Sequence, residues 1–61
     1  MKLPKAELIC ANNTYGLRRG EIEISEISED SVFVQNIIDA INLAGDVSDL
    51  HLQDIVDDFT H

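Results

Sequence analysis

The chain has 61 residues with 12 acidic and four basic side chains, and its formal net charge is -8 with the histidines neutral. A chain this short buries only about 60% of the surface its unfolded form exposes, so residues 1–61 are expected to form a single small acidic domain with no second core. The lone Cys10 excludes an intrachain disulfide and points to a reducing compartment, while no stretch approaches the roughly 18 apolar residues of a membrane span, so a soluble, cytoplasmic protein is expected.

Strand signals dominate the first half. Ala6, Leu8 and Cys10 alternate with Glu7 and Ile9, Asn12 to Gly16 supply turn residues, and Ile22 and Ile24 alternate with Glu21, Glu23 and Ser25. The pattern predicts a β-hairpin, with Cys10 as a small buried hydrophobe on the face of Leu8. Gly20 falls inside the second strand in this reading, where glycine marks a bulge or a close backbone approach. Ile27 is out of phase with Ile22 and Ile24, which ends the regular alternation near Ser25 or Glu26.

The second half carries helical spacing. Asp30 or Ser28 is the candidate N-cap of a helix built on Val34, Ile37, Ile38 and Ile41, and Gly45 closes it. Ser31 to Val34 is rich in β-branched and aromatic residues and also suits a third strand. Ser48 caps a second helix whose apolar stripe is Leu52, Ile55, Val56 and Phe59. Val32 and Leu43 project from the first helix on the side opposite its main stripe, as expected of a helix covered twice, by the hairpin and second helix or by a second protomer. Leu50 projects towards the polar side of its own helix, either folding back on Leu43 across the Gly45 turn or standing exposed as an anchor. The predicted fold is α+β, an N-terminal β-hairpin followed by an antiparallel helical hairpin. Its open sheet edge gives homodimerisation a physical motive.

Catalytic motifs are missing: the sequence has no phosphate-binding glycine loop, no nucleophile elbow and no metalloprotease motif, so no enzyme activity and no cofactor are expected. His51, Asp54, Asp58 and His61 recur at ligand spacing, but a solvated helix face produces the same pattern, and no metal is expected. Of the adjacent pair Arg18 and Arg19, one is expected to bond an acid of the same hairpin.

Charge distribution carries the functional signal. All four basic residues lie within the first 19 positions beside a single acid, whereas 11 acids and no lysine or arginine follow from Gly20 onwards. Such a segment repels phosphates, which argues against direct nucleic-acid binding and against docking on an anionic membrane. It suits a protein partner with a basic surface. The candidate partner-binding residues are Glu21, Glu23, Asp46, Asp49, Leu50, Asp54, Asp57 and Asp58, expected to present one negative surface around an apolar anchor. In size and charge alone the chain resembles small acidic inhibitors encoded by phages and mobile elements, which implies a binding protein that occupies a basic, nucleic-acid-handling groove. The alternative expectation is a small dimeric adaptor or structural subunit that recognises its partner through Leu43, Leu50, Val32 or the sheet edge.

Overall fold

Two tight turns, rather than one, shape the N-terminal half. The computed structural model describes residues 4–45 and 47–60. Its strands β1 (Glu7–Ala11), β2 (Thr14–Arg19) and β3 (Ile22–Ser28) form an antiparallel meander in that order, followed by the helices α1 (Ser31–Ala44) and α2 (Asp49–Thr60). The fold is α+β, with a three-stranded sheet where a single hairpin was expected. Asn12 and Asn13 make the first turn with φ of 54° and 64°, left-handed values that asparagine tolerates better than most residues. Gly20 makes the second turn with φ of 62°, so it separates two strands instead of interrupting one.

Gly16 is the residue that sits at a bulge. Between the pairs Leu17 with Ile24 and Tyr15 with Ser28, β2 contributes only Gly16, while β3 contributes Ser25, Glu26 and Ile27. The bulged strand presses on the glycine: a Cβ at Gly16 would lie 2.7 Å from Ser25 Cα and closer still to the Ile24 carbonyl oxygen. Glu26 absorbs the bend with φ of 57°. This bulge is the physical reason that Ile27 breaks phase.

Helix α1 begins at Ser31, so the stretch Ser31 to Val34 is helical. Asp30 is the N-cap and accepts bonds from the backbone N–H groups of Val32 and Phe33 at 3.0 and 3.3 Å, which outweighs the strand preference of the residues that follow. At the other end Gly45, with φ of 77°, donates its N–H to the Ile41 carbonyl. Ser48 precedes α2 and its carbonyl accepts the His51 N–H, but its hydroxyl lies 2.8 Å from His51 Nδ1 rather than capping a backbone amide.

The core lies between the sheet and the helices. Leu17 from β2, Val34, Ile37, Ile38 and Ile41 from α1, and Leu52 and Val56 from α2 are buried together with Ala6. Cross-strand pairing places Leu8, Leu17 and Ile24 on this inner face, as it does Cys10 and Tyr15. Cys10 is nonetheless exposed, contrary to the expectation that it is buried. The cause is the path of α1, which starts just past Ser28 of β3 and finishes where Asn42 bonds Ala6 ahead of β1. That diagonal leaves the corner of the sheet bearing Leu8 and Cys10 uncovered.

Candidate functional site

The solvent face of α2 is built by helical spacing. Leu52 and Val56 turn inwards, so Leu50, Asp54, Asp57 and Asp58, related by three or four residues, share the opposite side. All four are exposed. Leu50 is 87% exposed and Leu43 is 91% exposed, so the two do not cover each other across the Gly45 turn, and Leu50 stands out from the first turn of α2 as an apolar side chain.

Among the described residues, Asp54, Asp57 and Asp58 make no ion pair; Asp57 accepts only a bond from Gln53 at 3.0 Å. Asp54 and Asp58 make no bond to a described residue that serves the helix, whereas the Gln53–Asp57 bond, spanning four residues, supports it. Asp57 and Asp58 stand near the C-terminus of α2, where the helix dipole disfavours negative charge by about 0.3 to 1 kcal/mol each. Asp54 and Asp58, four residues apart, repel each other.

Asp49 has a structural role that the sequence does not announce. Its Oδ1 accepts a 2.7 Å bond from Nη2 of Arg19, a residue only 3% exposed, whose Nε has no partner among the described residues. Arg19 follows Leu17 by two positions, so β-strand alternation carries both to the inner face, and the guanidinium is buried against the start of α2. Arg18 points the other way and bonds Glu7 of the same hairpin at 3.5 Å, an exposed contact of little energetic weight.

The candidate acids do not all meet. Glu21 occupies the β2–β3 turn, next to the strand end where Arg19 holds Asp49, so these two acids share one end of the molecule with Leu50. Glu23 pairs across the sheet with Arg18 and therefore lies on the outer face, opposite the helices and beside a cation. Asp46 lies outside the described residues, as does His61. No group of histidine, cysteine and carboxylate side chains suited to a metal ion occurs among the described residues. No helix among them is long and apolar enough to cross a membrane. Comparison with models of known protein families, with curated proteins and with solved structures finds no match.

Proposed function

We propose that the protein is a non-catalytic, cytoplasmic binding module that inhibits or regulates a protein with a basic surface, and that the outward face of α2 is its docking face. The observation that carries this reading is the exposed Leu50 on the same helix face as Asp54, Asp57 and Asp58, three carboxylates that bond no cation of the described chain. Leu50 is the anchor for an apolar socket, and Asp54, Asp57 and Asp58 are the charges that steer a cationic rim towards it. Glu21 extends the negative charge towards the end of the molecule where Asp49, paired with Arg19, joins α2 to the sheet. Nucleic acid and anionic membranes are repelled by the same face, so a basic nucleic-acid-handling protein is reached through its binding groove rather than through its substrate.

Capture of partners from native lysate at low and high salt tests this reading, with wild type, Leu50→Asp and the double variant Asp54→Lys, Asp57→Lys compared side by side. The expected outcome is a basic protein held at low salt and released at high salt, with capture reduced about tenfold or more by either variant. Capture indifferent to salt and to both variants removes the proposal.

A second reading, that of an adaptor recognised through apolar surface with its acidity incidental, is favoured by Leu43 and by Val32, which is 66% exposed. It predicts salt-resistant capture that Leu43→Asp abolishes.

A further inference from the structure

The outer edge of β1 is a strip of backbone that the rest of the described chain leaves unpaired. Asn42, in the last turn of α1, donates from Nδ2 to the Ala6 carbonyl at 3.3 Å and accepts the Ala6 N–H at 2.8 Å through Oδ1, acting there as a strand partner does. The backbone groups of Ala6 therefore point away from β2. Because N–H and C=O direction alternates along a strand, those of Leu8 and Cys10 point the same way, while Glu7, Ile9 and Ala11 bond β2. No described backbone or side-chain group bonds the outward pairs at Leu8 and Cys10. Their side chains lie on the inner face of the sheet, and both are exposed, Leu8 at 39%.

We propose that this edge pairs with the same edge of a second copy, β1 against β1 in antiparallel orientation about a two-fold axis centred on Ile9. The strand is complementary to itself in that register. Leu8 of one copy faces Cys10 of the other and each exchanges N–H and C=O bonds with its opposite, so both exposed apolar side chains gain a neighbour. Glu7 falls opposite Ala11, so no like charges meet. The net charge of -8 opposes self-association, but β1 carries a single acid, Glu7, and Arg18 of β2 bonds it at 3.5 Å. Asn42 limits the contact: it occupies the Ala6 backbone, so pairing ends before the start of the strand. The two three-stranded sheets become continuous, and the interface is small and the dimer correspondingly weak.

The test is sedimentation equilibrium of the full chain under reducing conditions, from micromolar to millimolar concentration, on wild type, Cys10→Pro, Cys10→Lys and Leu50→Asp. Proline at position 10 removes only an outward N–H, and edge positions tolerate it. Wild type is expected to be a concentration-dependent dimer, as is Leu50→Asp. Both Cys10 variants are expected to weaken the dimer about tenfold or more while keeping the wild-type circular dichroism spectrum. Amide hydrogen exchange gives a readout without mutation: the Leu8 and Cys10 amides gain protection as concentration rises, and this decides the case if Cys10→Pro disturbs the fold. A monomer at every concentration overturns the proposal, as does a dimer that Leu50→Asp dissociates and the Cys10 variants do not.

Discussion

The two edges of the sheet are built on opposite plans. On β3 the backbone is bent by the bulge at Ser25 to Ile27, Glu26 adopts a left-handed φ, Glu21 and Glu23 line the strand and its entry turn, and α2 packs alongside. On β1 the five residues Glu7–Ala11 run without a bulge and carry one acid; α1 packs against the strand, but among the described residues its only side-chain bonds to the edge backbone are those Asn42 makes to Ala6, just ahead of the strand. Bulges and charge are the usual means of keeping an edge from pairing with another chain. The comparison teaches that one side of this molecule is closed to strand addition while the other remains available for it, and that the acidic helix stands on the closed side.

The strongest way to break that difference is at Gly16. Gly16→Ala drives a methyl group into the backbone of Ile24 and Ser25, which cannot yield without undoing the bulge. The expected cost is about 3 kcal/mol, at the upper end of overpacking effects. A core this small rarely supplies more than about 3 to 5 kcal/mol of net stability, so urea denaturation should find the variant largely unfolded. A smaller effect is expected where α2 joins the sheet. Asp49→Ala leaves the buried Arg19 guanidinium unpaired, and a loss of about 1.5 to 3 kcal/mol in the same experiment is expected, whereas Arg19→Met combined with Asp49→Ala recovers most of it.

The smallest effect separates the two edges by sign. Salt screens the repulsion between two chains of charge -8, so raising it strengthens the β1 dimer a few-fold, while the same salt weakens capture of a basic partner by α2. A dimer that weakens with salt would instead mean that the two copies are held by attraction between opposite charges, which the β1 register does not provide.

The helical half was largely legible. Asp30, Gly45 and the spacing of Val34, Ile37, Ile38 and Ile41 mark α1 because capping and periodicity act over a few residues. The strand half was less so, for a physical reason at each point. Gly16 and Gly20 carry the same letter, yet one is demanded by a neighbouring backbone and the other by a turn, and only tertiary contact tells them apart. Cys10 occupies the expected face but lies off the diagonal of α1, which no local pattern encodes. Among the candidate site residues, the exposure of Leu50 and the shared face of Asp54, Asp57 and Asp58 follow from helical spacing. The commitment of Asp49 to Arg19 and the separation of Glu23 depend on strand pairing, and sequence distance is silent about it.

The β3 bulge has a consequence for growth. A sheet with two free edges can recruit copies without limit, and fibres are the product of such propagation. Here one edge is spoiled by its bulge and the other offers only the strip between Asn42 and the Asn12 turn, which a single partner strand fills completely. In the proposed pair the β1 edges are used up on each other and the β3 edges face outwards, so the bulge is what would end growth at two copies, while the Asn42 amide fixes how far the paired strands overlap.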